Sequence, residues 1–270
     1  MVTTPLSRLA LAVAALGIAC GDDGTGPGDG TLTVLFIGNS LTASNDLPVL
    51  TREVAVAGGT LLAFVVTAPG GVSLEDHWNA GVVDLIADTR ADVVVLQQGP
   101  SSLPESQEHL RTWATQLATP IRQAGGEPAL LMVWPELARV SAFDDVRDSY
   151  QGAAEAVDGI FIPAGEAWRA AWRRDPDLAL YGFDGFHPSC LGSFVAALTV
   201  YAVLVDPALS AIAADAFPEI PADRMALLLD AVREVAAGAD PVAPPPAAHR
   251  APAGSGRRAA PLALPCVPGF

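Results

Sequence analysis

Residues 34–40 read Val-Leu-Phe-Ile-Gly-Asn-Ser, an apolar run that stops at a glycine and is followed by two polar side chains. Near-continuous apolar runs are typical of strands that are buried on both faces of a parallel sheet. Such sheets place their chemistry at the carboxyl ends of the strands. Because Gly38 permits a tight turn, we predict that Ser40 presents its hydroxyl at that edge. Alternatively, Ser40 only caps the helix that follows.

Strand and helix patterns alternate from this segment to the end of the folded region. Strands are predicted at residues 32–37, 61–67, 91–96, 128–134 and 159–163. Helices are predicted at residues 47–57, 73–88, 104–124, 143–157, 164–173, 188–205 and 222–237. This alternation indicates a parallel sheet with helices on both faces, and right-handed crossovers leave few topologies. We therefore predict an α/β fold, a flavodoxin-like three-layer α/β/α sandwich with five strands in the order 2-1-3-4-5.

The composition favours one globular domain and argues against a nucleic-acid partner. The chain has 270 residues, of which 51% are hydrophobic and 17% charged, enough for one full core. We assign this domain to residues 31–238. The formal net charge is −15, with no basic stripe of the kind that binds phosphates. No residue spacing is typical of a metal site, and no cofactor is expected.

The first 30 residues are predicted to direct export. Residues 9–19 form an apolar run that is too short to span a bilayer, and they precede Cys20. We predict a lipoprotein-type signal peptide at residues 1–19, with Cys20 as the lipidated first residue of the mature protein. Ordinary cleavage and plain secretion are the alternative. With a lipoprotein-type signal, the protein would be periplasmic or at the cell surface, and it would touch the membrane only through the anchor at Cys20.

The segments that flank the domain have the composition of linkers. Residues 20–30 are rich in glycine and are predicted to form a flexible tether. Residues 239–270 are rich in proline and alanine and are predicted to form a disordered tail. In an oxidising compartment Cys190 and Cys266 can form a disulfide. Alternatively, Cys190 is a small core residue.

A second segment, Asp-Gly-Phe-His-Pro-Ser at residues 184–189, supplies an acid and an imidazole three positions apart. A serine hydroxyl is a poor nucleophile until a base takes its proton. His187 can act as that base, and Asp184 can hold the other ring nitrogen and stabilise the imidazolium. Alternatively, Asp184 is a turn residue and His187 an ordinary surface residue.

At these positions the chain resembles the SGNH (GDSL-like) hydrolase superfamily. Residues 38–41 (Gly-Asn-Ser-Leu) are similar to its first block, with Asn39 where many members have aspartate, and residues 184–189 are similar to its last block. Gly71 falls where the second block has an oxyanion glycine, although it can equally serve only the turn. The resemblance covers roughly residues 33–205 and depends on the order and spacing of the blocks.

The resemblance implies a serine hydrolase mechanism. Ser40 would attack an ester carbonyl, His187 would transfer the proton, and Asp184 would orient His187. The backbone N–H groups of Ser40 and Gly71 would bind the oxyanion. The superfamily's third block supplies an asparagine as a further donor, but here residues 97–102 are Gln-Gln-Gly-Pro-Ser-Ser. We predict that the amide of Gln97 is the third donor to the oxyanion. Alternatively, Gln98 is that donor, or the oxyanion hole has only two donors.

The combined prediction is an exported serine esterase that acts on small acyl esters, with O-acetyl groups on carbohydrate as the leading substrate class. A non-catalytic carbohydrate-binding module of the cell envelope, on the same scaffold, is the first alternative. An O-acyltransferase is the second, because it passes through the same acyl-enzyme. Of the remaining polar and aromatic candidates, His77 is assigned to a solvated helix face, with a position lining the cleft as the alternative. Trp134 is the tryptophan predicted to be able to face a substrate.

Overall fold

Five parallel strands form one sheet, and a computed structural model describes this domain from residue 30 to residue 239. The strand order is β2-β1-β3-β4-β5, which is the predicted order. The strands are β1 (Thr31–Ile37), β2 (Leu61–Thr67), β3 (Val93–Leu96), β4 (Glu127–Leu131) and β5 (Ile160–Ile162). All neighbouring strands pair in parallel, so their carboxyl ends meet at one edge of the sheet.

Helices cover both faces of this sheet, which confirms the predicted α/β class. The helices are α1 (Ser40–Ala43), α2 (Leu47–Ala57), α3 (Leu74–Asn79), α4 (Val82–Thr89), α5 (Pro104–Gln123), α6 (Phe143–Ala156), α7 (Ala164–Arg174), α8 (Cys190–Leu204) and α9 (Ala222–Ala236). Helices α2, α7, α8 and α9 pack together in one layer, and α3, α4, α5 and α6 form the other. Short 3₁₀ helices at Ser44–Asp46 and Leu137–Ala142 lie within two of the loops at the carboxyl edge.

Three predicted elements differ from the structure for local reasons. The helix predicted at residues 73–88 is broken, because Gly81 adopts a φ of 83° between α3 and α4. The strand predicted at residues 128–134 ends at Leu131, where its pairing with β5 stops. Helix α8 begins at Cys190 rather than at Pro188, because the Ser189 hydroxyl accepts the N–H of Gly192 and caps the helix.

Helix α8 is the centre of its layer. Every residue from Leu191 to Leu204 is buried, as expected for a helix that is apolar on all sides. Its amino-terminal end lies directly after the segment that carries His187. The most buried helix of the domain therefore supports one end of the predicted catalytic segment.

Several predictions concern residues that the structure does not describe. The predicted signal peptide, most of the predicted tether and nearly all of the predicted tail fall outside residues 30–239. Cys20 and Cys266 fall outside them too, so the lipidation of Cys20 and a pairing of Cys266 stay predictions. Cys190 is disulfide-bonded. Between residues 30 and 239, no helix has both the length and the apolar character needed to cross a bilayer, and no cluster of His, Cys, Asp or Glu side chains is arranged to hold a metal ion.

We predict that Gly192→Ala destabilises the protein, because helix α8 approaches a neighbouring loop too closely for a side chain. A Cβ at Gly192 would collide with the carbonyl oxygen of Leu180 and lie 2.5 Å from Cζ2 of Trp168. We expect the free energy of unfolding to fall by about 1–3 kcal/mol, the usual cost of overpacking, in urea denaturation.

Gly152→Ala is the matched control. Gly152 lies inside helix α6, and a Cβ there would have no atom within 4 Å. This change should raise the free energy of unfolding by roughly 0.5–1 kcal/mol, because alanine favours helix more than glycine does. Equal effects of the two substitutions would contradict the proposed close approach at Gly192.

Candidate active site

Three residues predicted from distant parts of the chain meet at the carboxyl edge of the sheet. The Oγ of Ser40 lies 2.9 Å from Nε2 of His187, although 147 positions separate them in sequence. The Nδ1 of the same ring lies 2.6 Å from Oδ2 of Asp184. Strand β1 and helix α1 position Ser40, and the loop before α8 positions the other two. The side chains therefore form one continuous hydrogen-bonded chain, the arrangement of a nucleophile, a base and an orienting acid.

The carboxylate of Asp184 is fixed by its own loop. Its Oδ1 accepts the backbone N–H groups of Phe186 at 3.0 Å and of His187 at 2.9 Å, which leaves Oδ2 for the imidazole. The hydrogen bond from His187, followed by the one from the Phe186 N–H, lowers the pKa of Asp184 from 3.8 to about 2. Asp184 is therefore ionised at neutral pH and keeps the proton of the neutral ring on Nδ1.

Two backbone N–H groups, one at the start of α1 and one in the loop after β2, have no acceptor within residues 30–239. Asn39 caps α1 by accepting the N–H of Leu41, and its Nδ2 donates to the carbonyl of Val72 at 3.1 Å. This bond holds the loop after β2 against the start of α1. Gly71 in that loop has a φ of 75°, a conformation that favours glycine. Within residues 30–239 neither the N–H of Ser40 nor that of Gly71 donates to an acceptor, so both can receive an oxyanion.

No protein-family model matches the chain, and no curated protein matches it. Solved structures do match. A protein from Slackia heliotrinireducens described as an SGNH hydrolase shares 25% identity and superposes with a TM-score of 0.54, over 63% of this chain and 97% of its own. The chain has the SGNH hydrolase fold. A DUF4886 family protein from Bacteroides uniformis superposes with a TM-score of 0.61 at 19% identity, over 76% of this chain and 94% of its own.

A further similar structure is an acetylxylan esterase from Geobacillus stearothermophilus. It superposes with a TM-score of 0.50 at 17% identity, over 64% of this chain and 94% of its own. At this identity the likeness concerns the SGNH fold alone. The chemistry available to the site therefore depends on the residues that this chain places there.

Gln97 occupies the third-block position of the SGNH fold in a way that the sequence did not predict. Its Oε1 accepts the backbone N–H of Asn39 at 3.0 Å and the hydroxyl of Thr42 at 2.7 Å. Its Nε2 donates to Oδ1 of Asn39 and to the carbonyl of Gln98. The side chain is only 1% exposed. We therefore correct the prediction that Gln97 donates to the oxyanion. Both N–H groups of its amide are already bound within the domain.

The alternative donor, Gln98, is 4% exposed, and its side chain bonds neighbouring loops. Its Nε2 donates to the hydroxyl of Ser101 at 2.9 Å, and its Oε1 accepts the N–H of Leu74 at 3.3 Å. The hydroxyl of Tyr150 donates to the carbonyl of Gln98 at 2.7 Å. Both glutamines therefore hold loops of the SGNH fold together, and the two free backbone donors remain the candidates for the oxyanion hole.

His77 supports the nucleophile segment from below, which the sequence analysis missed. The imidazole is 4% exposed rather than on a solvated face, and its Nε2 lies 2.7 Å from the carbonyl oxygen of Gly38. Because a carbonyl can only accept, Nε2 carries a proton. The acidic neighbours Glu75 and Asp76 suggested a polar face. The signal that was available is the three-residue spacing from the buried Leu74, which puts both side chains on one face of α3.

The prediction that Trp134 can face a substrate is also corrected. The indole is 2% exposed and stacks on Trp168 with 3.6 Å between ring centroids. Its Nε1 donates to the carbonyl of Phe186 at 3.0 Å. Trp134 thus contacts the segment of His187 from inside the domain.

We predict that Gln97→Leu lowers the free energy of unfolding by about 2–4 kcal/mol. The substitution leaves the N–H of Asn39 and the hydroxyl of Thr42 buried without an acceptor, and each unsatisfied group costs roughly 1–3 kcal/mol. Urea denaturation measures this loss. Gln151→Leu is the control, since Gln151 is exposed and its side chain bonds, among residues 30–239, only Glu155, and it should change stability by at most about 0.5 kcal/mol. A tolerated Gln97→Leu would show that the network is dispensable.

We predict that His187→Ala raises the pKa of Asp184 from about 2 towards 3.8, because the imidazole is the largest cause of the depression. The two backbone N–H bonds should keep the value below 3.8. A depressed pKa in the folded state stabilises the protein above pH 3.8, and this contribution is lost as the pH falls towards 2. The variant should therefore lose less stability than the wild type across that window.

Carboxyl-carbon NMR of Asp184 measures this change directly. Asp76 is an internal control, because its pKa is lowered mainly by bonds from Ser73 and should not respond to His187→Ala. An Asp184 titration that is identical in the wild type and the variant would show that the ring contributes nothing to the depressed pKa.

Proposed function

We propose that this protein is a serine esterase that hydrolyses small acyl esters through Ser40, His187 and Asp184. The observation that carries the proposal is the 2.9 Å contact between Ser40 Oγ and His187 Nε2, on a ring whose Nδ1 is bound by an ionised carboxylate. A neutral imidazole in this tautomer has its free lone pair on Nε2, facing the hydroxyl. It can therefore take the serine proton at the moment of attack.

The mechanism follows from these contacts. As Ser40 Oγ bonds to the ester carbonyl carbon, its proton moves to His187 Nε2, and Asp184 stabilises the imidazolium. The imidazolium then protonates the leaving alcohol oxygen while its bond to the acyl carbon breaks. Water enters next, gives its proton to His187 and attacks the acyl-enzyme. The acid is released, and the proton returns to Ser40.

The N–H groups of Ser40 and Gly71 would stabilise the two tetrahedral intermediates. Preorganised donors of this kind contribute typically ~3 kcal/mol each to the transition state. Gly71 holds its N–H in place through its left-handed backbone and through the neighbouring Asn39–Val72 hydrogen bond. A hole with two donors is sufficient for acyl transfer but weaker than one with three.

O-acetyl groups on carbohydrate are the substrate class that we favour. The side chains of His187 and Asp184 are 37% and 35% exposed, so the alcohol part of the ester need not fit a closed cavity. One protein with a similar fold is an acetylxylan esterase. Export of this protein and lipid attachment at Cys20, as proposed from residues 1–30, would give the esterase access to polysaccharides outside the cytoplasm.

A carbohydrate-binding module without catalysis is the second candidate. It is favoured by one observation: the amide at the third-block position, Gln97, is consumed by Asn39 and Gln98 and cannot bind an oxyanion. A module of this kind would keep the fold and bind carbohydrate without turning over an ester.

Hydrolysis of p-nitrophenyl acetate and butyrate by the full chain separates the two candidates. We expect Ser40→Ala and His187→Ala to lower kcat by at least about 10³-fold, since either change removes the triad as a unit. Ser106→Ala and His109→Ala are matched controls on helix α5 and should leave the rate unchanged. A wild-type protein that hydrolyses no ester, and whose Ser40 is not labelled by a fluorophosphonate, would instead be the binding module.

A further inference from the structure

The segment that carries the proposed base is exposed, yet its backbone is hydrogen-bonded to buried and partly buried side chains. We call residues 181–189 the catalytic loop. His187 and Asp184 within it are more than a third exposed, so close packing does not fix the imidazole. Hydrogen bonds to the backbone of the catalytic loop must therefore hold the ring within reach of Ser40.

Side chains from outside the catalytic loop bond to the residues on either side of His187. The carbonyl of Phe186 accepts the indole N–H of Trp134 at 3.0 Å. The carbonyl of Pro188 accepts the amide N–H of Asn45 at 3.0 Å. Within the loop, the carbonyl of His187 itself accepts the N–H of Gly182 at 2.7 Å. Three successive carbonyls are thus occupied, and the two outer ones are held from different parts of the domain.

Trp134 is a rigid donor. It lies three residues after β4, is almost fully buried, and stacks on Trp168 with an interplanar angle of 11°. An indole buried in this way has little freedom to rotate, so its N–H points in one direction. Trp134 therefore ties the catalytic loop to the carboxyl end of β4.

Asn45 belongs to the segment that carries Ser40, and two hydrogen bonds hold its side-chain amide. It lies five residues after Ser40 and has a φ of 55°, a left-handed conformation that asparagine tolerates better than most residues. Its Nδ2 also bonds the hydroxyl of Ser193 in the first turn of α8 at 2.9 Å. Asn45 therefore connects the segment of Ser40 directly to the segment of His187.

We infer that Trp134 and Asn45 are positioning residues, which hold the carbonyls of Phe186 and Pro188 so that His187 Nε2 stays in hydrogen-bond contact with Ser40 Oγ. The inference rests on the proposed esterase function for its kinetic consequence, because proton transfer depends steeply on this contact. Neither residue touches the reacting atoms. Each acts only through the backbone of the catalytic loop.

The chain offers a matched control for each residue. Trp172 also donates its indole N–H to a carbonyl, that of Leu178 at 2.9 Å, but this carbonyl lies outside the catalytic loop. Asp46 follows Asn45 with nearly the same backbone conformation, a φ of 52°. Its side chain makes no hydrogen bond to any residue between 30 and 239.

The kinetic experiment compares Trp134→Phe with Trp172→Phe, and Asn45→Gly with Asp46→Gly, in the full chain. Phenylalanine keeps an aromatic ring and removes the N–H, and glycine keeps the left-handed backbone and removes the side chain. We expect kcat for p-nitrophenyl acetate to fall roughly 10- to 100-fold in the two test variants with KM within about twofold, since small misplacements of a catalytic group are this costly. The controls should stay within about threefold of the wild type.

Two-bond ¹H–¹⁵N spectra of the His187 ring provide a readout that needs no activity. The wild type and both controls should show the single tautomer with the proton on Nδ1. The test variants should show a shifted Nε2 resonance, because Nε2 no longer accepts the hydroxyl of Ser40. This result also decides the inference if the wild type hydrolyses no ester, an outcome that would overturn the proposed function alone.

The inference is overturned if the test variants match their controls in both kcat and the Nε2 resonance of His187. Thermal denaturation of all four variants accompanies the assay, because a positioning role predicts a loss of kcat that does not follow the loss of stability. Should Trp134→Phe fail to fold, Asn45→Gly decides the question, since Asn45 is partly exposed in the short 3₁₀ helix Ser44–Asp46.

Discussion

The buried amide of Gln97 connects the end of β3 to the turn after β1, in which Ser40 lies. Gln97 lies directly after β3, and its four hydrogen bonds reach the residues that follow β1 and its own neighbour Gln98. A buried network in which every donor and acceptor is satisfied is rigid, since breaking any one bond leaves an unpaired polar group. The backbone around Ser40 is therefore held by the sheet rather than by a flexible loop.

The same constraint explains why glycine occupies position 38. A Cβ there would lie 2.7 Å from Oε1 of Gln97, so any larger residue would displace the amide. From below, the carbonyl of Gly38 accepts the imidazole N–H of His77. The turn after β1 is thus fixed by Gln97, by His77 and by the loop after β2, and the Ser40 hydroxyl at the edge of the sheet bonds His187.

Much of the fold and the hydrogen-bonded core of the site could be predicted, because both depend on strong local signals. The apolar run of β1 and the even alternation of strands and helices lead to the observed strand order. The acid and the imidazole at 184 and 187 are close in sequence, so a single turn brings them together. Gly71 could be proposed only from the resemblance to the second block of the SGNH superfamily, and its left-handed backbone became visible in the structure.

The supporting side chains could not be predicted, because their roles depend on partners far away in sequence. The amide of Gln97 bonds residues 58 positions earlier, and Trp134 bonds a carbonyl 52 positions later. For Gln97, chemical type alone suggested a donor to the substrate, whereas burial turned its amide inward. For Trp134, a position at a strand end suggested the surface, whereas the stack with Trp168 encloses it.

The long separation between Ser40 and His187 also has a kinetic consequence. The segment of Ser40 is synthesised early and the imidazole of His187 late, with four of the five strands, β2 to β5, between them. Contacts at such separation carry a large loop-closure cost and form slowly. The contact between the hydroxyl and the imidazole closes a loop that contains β2 to β5, so we expect a chain in which these strands are unpaired to hold Ser40 without its base. Recovery of activity after denaturation would thus report the last step of folding rather than the first.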